Sequence, residues 1–329
     1  MDGIQMRKNG NKLLIKARKN KNDEFYTQLV DIERELKHYK DQFKNKVVYC
    51  NTDDPTISNF YKYFAINFEK LGLKKLIASC YVDSEPNLFN YEQEKFNGYY
   101  YEYTGKKDEV MIPTLKDVTY FKGNGDFRSM ESIELLKQSD VVVTNPPFSL
   151  FREHIAQIME YEKEFLVIGN INAITYQEIF NLIKENKVWL GVNMGRGISG
   201  FIVPDHYELY GTEVRKDKFG NKIISPNNSL WLTNLDNFKR HTDIPLTKTY
   251  KGNEEKYPKY DNYDGINVNR TSDIPADYKG AMGVPITFLH KFNPDQFEII
   301  RFRKGNDNKD LSINGKYPYF RILIRNKKI

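Results

Sequence analysis

The sequence predicts an α/β fold: a parallel sheet with helical crossovers. Three observations carry this. Short β-branched runs alternate with segments whose apolar residues recur at helical spacing. One of those runs, Val141-Val142-Val143-Thr144, stops abruptly at Asn145-Pro146-Pro147-Phe148. In open α/β sheets, ligands bind beyond the carboxyl ends of strands. Finally, 329 residues suffice for one large domain or two modest ones with a real core.

Residues 1–22 are polar and basic and read as an arm, either mobile or lying on a partner. Asp23-Glu24-Phe25-Tyr26-Thr27 opens the ordered chain. Ile32, Leu36 and Tyr39 then fall on one helical face. Val47 to Cys50 is a short strand that runs into Asn51-Thr52-Asp53-Asp54-Pro55, a turn with N-capping chemistry. Ile57, Phe60, Tyr61, Phe64 and Phe68 mark the next helix, and Lys75 to Tyr81 a second strand. A polar excursion over 83–98 precedes Tyr-rich strands over 99–122. Gly123 to Ser129 is a turn, with Ser129 placed to cap a helix through Ile133 and Leu136. The strand 140–144 follows, then a helix from Leu150 to Met159, with His154 expected on its exposed side. Phe165 to Gly169 is a fourth strand, Tyr176 to Ile183 a helix, and Val188 to Gly191 a strand. Beyond it, Phe201-Ile202-Val203 and Leu230-Trp231-Leu232 are expected to be the last strands of the same sheet, joined by a long polar hairpin. From 239 to 280 the chain is polar, with Tyr250, Tyr257, Tyr260 and Tyr263 among Lys251, Lys256 and Lys259. Strand-like patterns return over 285–302 and 317–324. This divides the chain into a basic arm (1–22), a catalytic domain (23–240) and a smaller C-terminal region (241–329). No internal repeat is present.

With 40% hydrophobic and 29% charged residues, the chain is globular rather than disordered. Net charge is +6, concentrated at the ends: residues 7–21 hold seven Lys/Arg and no acid, and residues 301–328 hold nine against two Asp. Such ends suit polyanion binding, although solvated tails look alike. The Tyr/Lys stretch at 250–263 fits a nucleic-acid contact or a solvated loop. Cys50 and Cys80 are the only cysteines and read as core residues of adjacent strands. No metal-ligand spacing occurs, so neither a metal nor a disulfide framework is expected. No apolar run reaches about 18 residues and no signal core is visible, which makes the cytoplasm the expected compartment.

The Asn-Pro-Pro-Phe segment suits one task, holding a flat base with an exocyclic amine. In adenine the N6 lone pair is delocalised into the ring and is a poor nucleophile. The side-chain oxygen of Asn145 and the carbonyl of Pro146 can accept both N–H groups and turn the lone pair toward a methyl donor. Pro146 and Pro147 fix φ and bring no competing donor. Phe148 offers a π-face, worth roughly 1–3 kcal/mol per stacked base. A tight Pro-Pro turn beside a core Phe would give the same letters.

Taken together, the chain resembles the EcoRI family of N6-adenine DNA methyltransferases. The resemblance is carried by Asp23 to Gln28, Asn51 to Pro55, Gly125 to Ser129, Val143 to Arg152, Asn172 to Tyr176, Gly283 to Phe288 and Pro318 to Leu323, and spans nearly the whole chain from about residue 11. It implies a Rossmann-like S-adenosylmethionine-dependent fold with a smaller C-terminal DNA-recognition region. It also implies a double-stranded DNA substrate whose target adenine is flipped out. Phe25, Tyr26 and Thr27 would pack on the methionine end of the donor, Asp126 would accept from the donor's adenine amine, and Phe127 would border that ring. Restriction protection is the expected role, a cognate endonuclease the expected counterpart without direct contact, a monomer the expected state, and GAATTC the first site to try. One departure stands out: the turn after the first long strand has no glycine. There Asp53 or Asp54 could contact the donor's amino group or cap the next helix. No ribose-binding carboxylate is assigned, since Ser79-Cys80-Tyr81 ends the second strand. Arg128 is expected to pair with Glu131 in preference to a DNA phosphate. The loop Gly195-Arg196-Gly197 could approach a DNA backbone or simply be flexible. Rival readings keep the motif but act on RNA or a protein glutamine, or keep the fold without catalysis. Phe148 leans against the glutamine enzymes, which favour Tyr there.

Overall fold

The computed structural model describes residues 26–82, 97–203, 213–225, 228–303, 311–317 and 320–329. The N-terminal arm, Phe25, most of the polar excursion, and Pro318 and Tyr319 lie outside these residues. The chain is mixed α/β and forms two compact units. One comprises Met1–Ala173 and Asn193–Leu235, the other Ile174–Val192 and Asp236–Ile329.

In the first unit β1 (Tyr26–Thr27) leads into α1 (Leu29–Leu36). Next come β2 (Val47–Cys50), α2 (Asn59–Ile66), α3 (Phe68–Leu71) and β3 (Lys75–Cys80). β4 (Tyr99–Tyr103), β5 (Thr119–Tyr120), α4 (Met130–Gln138), β6 (Val141–Thr144), α5 (Phe151–Glu160) and β7 (Glu164–Asn170) follow. β8 (Trp189–Met194) carries the chain back from the second unit. The unit ends with β9 (Phe201–Val203), β10 (Glu213–Lys216), β11 (Lys222–Ser225) and β12 (Ser229–Thr233).

Within this unit the large sheet runs β5-β4-β3-β2-β6-β7-β12. β3, β2, β6 and β7 are mutually parallel. β4 and β5 extend one side antiparallel, and β12 the other. Every residue of β2 and β6 is buried, as expected of strands covered on both faces. The helices start where sequence chemistry says they should. The Ser58 side chain caps α2 by accepting from the Phe60 and Tyr61 amides, and Ser129 caps α4 by accepting from Ser132.

One expectation is corrected. Leu230 to Leu232 does join the large sheet, but Phe201 to Val203 does not. β9 belongs to a separate antiparallel sheet, β1-β9-β11-β10. Its partners are Tyr26–Thr27 on one side and Lys222–Ile224 on the other. The apolar pair Ile223 and Ile224 gives β9 a nearer partner than the large sheet. The end of β8 and the Gly-rich stretch after it are tied to α1 by two buried carboxylates. Asp31 accepts from the Ser199 amide (2.8 Å) and hydroxyl (2.7 Å), and Glu35 from the Asn193 amide and side chain (both 2.8 Å). Buried charge persists only with such partners.

The second unit holds α6 (Gln177–Lys184) and the sheet β13-β14-β16-β15. Its strands are β13 (Gly265–Asn267), β14 (Ala281–Val284), β15 (Phe297–Arg303) and β16 (Arg321–Asn326). Residues 174–192 fall here, although the sequence places them in the catalytic domain. The cause is packing: α6 lies against β15, and Phe180 stacks on Phe302 with centroids 5.0 Å apart. Two of the four interleaved tyrosines are core residues. Tyr260 packs with Leu311 and Leu323 and donates to Asn267 (3.0 Å), and Tyr257 donates to the Asp273 carbonyl (2.9 Å). Among the described residues, no helix is long and apolar enough to cross a membrane, and no group of three or more His, Cys, Asp or Glu could hold a metal ion.

Candidate active site

Parallel pairing of β2 with β6 (Val48 with Val141, Tyr49 with Val142) brings two carboxyl ends side by side. The Asn51–Pro55 turn therefore meets the Thr144–Phe148 segment. Asp53 joins them. Its Oδ1 accepts from Ser58 Oγ (2.7 Å), its Oδ2 from Thr144 Oγ1, and the Asn145 backbone N–H donates to the same carboxylate. Thr144 Oγ1 is also 2.6 Å from Thr52 Oγ1, and the Asp53 amide donates to the Ser79 carbonyl (3.0 Å). Burial pushes the Asp53 carboxyl up to about 6, although the bonds from Thr144, Ser58 and Asn145 favour its charged form. Neither Asp53 nor Asp54 caps α2; Ser58 does. Asp54 forms an Asx turn with Thr56 (amide 2.8 Å, hydroxyl 2.7 Å) and accepts from the Tyr99 hydroxyl (2.8 Å).

The N-terminal strand reaches the same place. Thr27 pairs with Phe201, and the Phe201 ring meets Phe148 edge-on at 6.2 Å. Tyr26 is half-buried. Thr27 is buried; its carbonyl accepts from Asn59 Nδ2 (2.9 Å), and its Oγ1 has no hydrogen-bond partner among the described residues. Pro146 is buried, and Asn145, Pro147 and Phe148 are half-buried at the strand end.

Asp126 and Phe127 arrive from the third side. Gly125 sits at φ +77°, and a Cβ there would lie 2.4 Å from the Cys80 carbonyl oxygen, so the turn before Asp126 requires glycine. Asp126 Oδ1 accepts from the Arg128 amide (2.8 Å) and Nε (2.9 Å), and Oδ2 from Nη2 (2.7 Å). These bonds hold the Asp126 carboxyl below the usual carboxylate range. Arg128 also donates to Glu153 (2.8 Å). The expected pairing with Glu131 is not formed, because Glu131 accepts instead from the Lys122 and Gly123 amides (3.0 and 3.1 Å).

His154 is fully buried, not exposed as the sequence suggested. It lies on the apolar stripe of α5 with Phe151, Ile155 and Ile158. Its Nε2 donates to Asn51 Oδ1 (3.0 Å), and the Phe127 ring meets it edge-on at 5.2 Å. Burial lowers its pKa to about 3, so the ring is neutral at physiological pH. His154 thus links the turn after β2, the Phe127 segment and the helix after the Asn-Pro-Pro-Phe motif. The stripe spacing was the available signal for it. Ser58, Tyr99 and Asn51 were also missed, and only Ser58 had a local signal, its place just ahead of α2. Cys50 and Cys80 lie on adjacent strands and form no disulfide; Cys50 is buried and Cys80 half-buried.

The site therefore collects Thr27, Asp53, Phe127, Asn145 and Phe148 from four segments of one unit. Phe25 lies outside the described residues. Comparison with known proteins extends the match from the site to the chain. The family model described as adenine-specific methyltransferase EcoRI matches residues 13–327. The chain is 67% identical to Type II methyltransferase M.EcoRI of Escherichia coli, over 97% of this chain and 98% of that one. It is 38% identical to Type II methyltransferase M.MpnI of Mycoplasma pneumoniae and 37% identical to M.MgeORF184P of Mycoplasma genitalium, each over 95% of this chain and 98% of the other. No solved structure matches significantly. Motif, site and full-length similarity agree, and the chain belongs to the EcoRI family of adenine-specific methyltransferases.

Proposed function

We propose that the chain is a site-specific DNA methyltransferase that moves a methyl group from S-adenosylmethionine to N6 of an adenine flipped out of duplex DNA. The observation that carries this reading is the Asp53 bridge. It ties the turn after β2 to the backbone of the Asn-Pro-Pro-Phe segment after β6. In a Rossmann-like sheet, that shared carboxyl edge is where donor and acceptor would meet.

The residues present fit the donor. A buried Thr27 hydroxyl, without a partner among the described residues, and the Asp53 carboxylate suit its polar methionine end. Asp126 Oδ2, which accepts one bond from Arg128, keeps a lone pair for an adenine amine. Phe127, held edge-on by His154, would border that ring. When bound, the donor supplies an electrophilic methyl on a sulfonium. The protein's part is positioning. Asn145 Oδ1 and the Pro146 carbonyl accept the two amine protons and orient the nitrogen lone pair. Phe148, backed by Phe201, stacks on the base. No general base is needed before transfer, since the proton leaves a nitrogen already made cationic.

The second unit and the basic 301–328 stretch are assigned to DNA recognition, because duplex readout needs elements that enter a groove. GAATTC is proposed as the site, with protection from a cognate endonuclease as the role and a monomer as the working state. The test is transfer of labelled methyl to duplex oligonucleotides with and without GAATTC, beside RNA and protein. Label confined to the GAATTC duplex supports the reading. Label in RNA or protein alone overturns it.

A further inference from the structure

The β10–β11 hairpin carries features that its own stability does not require. We propose that it is a DNA-contacting finger, with Phe219 wedged between base steps and Lys216, Lys218 and Lys222 on flanking phosphates. This rests on the reading of the chain as a DNA methyltransferase.

Phe219 is 78% exposed, the most exposed large hydrophobic side chain among the described residues. The tip that presents it is ordered from within. The Asp217 amide donates to the Asn221 carbonyl (3.0 Å). Asp217 Oδ1 accepts from the Phe219 and Asn221 amides (2.8 and 2.9 Å), and Oδ2 from Asn221 Nδ2 (2.9 Å). A backbone held this way loses little freedom on binding. Below the tip, the register sets Lys216 directly across from Lys222, which concentrates positive charge on one rung of the hairpin. Lys218 Nζ lies over the Phe219 ring at 4.9 Å. Arg215 is engaged at the base, where it donates to the Ser199 carbonyl (2.8 Å). An apolar ring among lysines suits a partner with anionic rails and a stacked apolar interior, which is duplex nucleic acid. Wedges of this kind insert between base steps in known complexes.

The finger is continuous with the candidate active site. Ile224 of β11 pairs with Phe201, whose ring meets Phe148. The chain from Ile224 to Phe219 spans at most about 16 Å at roughly 3.3 Å per residue. That is about five nucleotides along one strand at roughly 3.4 Å each. The finger and the base pocket can therefore engage one short recognition site.

The test is equilibrium binding of a GAATTC duplex across a salt series, with donor affinity and thermal unfolding as controls. Phe219→Ala is expected to weaken duplex binding about tenfold or more while leaving both controls unchanged. The pair Lys216→Gln and Lys222→Gln is expected to flatten the plot of log affinity against log salt by about 1.8, at roughly 0.9 per phosphate released. The corresponding arginine pair should restore it. Parent-like affinity and slope in these variants, with the parent enzyme methylating the duplex, would overturn the finger and leave the functional reading standing. A parent enzyme that neither binds nor methylates DNA would overturn both.

Discussion

Replacing Asp53 with asparagine separates what its charge costs from what it does. The side chain keeps its shape and loses its ionisation. In the folded chain, burial pushes this carboxyl up to about 6 from its ordinary 3.8. Between those values the folded protein holds a proton that the unfolded chain has released, so this group's contribution to stability falls as pH rises through the window. At about 1.4 kcal/mol per pKa unit, the penalty reaches about 3 kcal/mol at neutral pH. Asparagine carries no such penalty. The unfolding free energy of Asp53→Asn relative to the parent should therefore grow by about 2.4 kcal/mol from pH 4 to pH 7.5, read from urea unfolding at each pH. A constant offset of about 1–3 kcal/mol accompanies it, because one hydroxyl of Ser58 or Thr144 loses its acceptor. Donor binding should move the other way. Loss of a charge-assisted bond worth about 1.5–3 kcal/mol raises the Kd for S-adenosylmethionine roughly 10- to 150-fold at pH 8. In the parent, that affinity should strengthen as pH rises through about 6, and in the variant it should not. Calorimetry at pH 5 and pH 8 measures this. A pH-independent stability difference together with parent-like donor affinity would refute the reasoning.

Other substitutions probe the site's remaining parts. Phe148→Ala removes the stacking face, and a 2-aminopurine base at the target position should then show a smaller fluorescence rise on enzyme binding; an unchanged signal would deny Phe148 that role. Gly125→Ala forces a Cβ against the Cys80 carbonyl in a left-handed backbone, and should cost about 1–3 kcal/mol in unfolding experiments and weaken donor binding. His154→Leu leaves buried Asn51 Oδ1 without its imidazole donor and should destabilise the fold by about 1–3 kcal/mol. Because His154 is neutral above its pKa of about 3, the parent's pH profile between 5 and 8 should show no ionisation assignable to it, which NMR titration of the ring would check.

How much of this was legible in the sequence depended on how local the signal was. The parallel core strands announced themselves, because strands covered on both faces read as unbroken apolar runs and turn chemistry follows each. Ser129 was readable as a cap for the same local reason. β9 was misassigned because one of its partners, Tyr26–Thr27, lies far away in sequence, the other, Lys222–Ile224, sits within a stretch read as a polar hairpin, and a three-residue strand carries no mark of which edge it joins. The Asn-Pro-Pro-Phe segment could be read for chemistry. That Asp53 grips Thr144 and Asn145 could not, since it depends on the order of strands in the sheet. His154 was misread through treating a histidine as surface by default, when its spacing from Phe151, Ile155 and Ile158 placed it on the buried stripe. Tyr257 and Tyr260 show the opposite error: a polar neighbourhood hid two core residues.

The most direct test of the central claim compares the parent with Asn145→Ala on unmethylated genomic DNA and labelled S-adenosylmethionine. Nucleosides are resolved by mass spectrometry and modified positions mapped by sequencing. The account predicts N6-methyladenine at one short motif from the parent, and loss of most of that product from the variant with DNA binding retained. Methylation by Asn145→Ala at the parent's rate, or DNA affinity lost in step with activity, would contradict it.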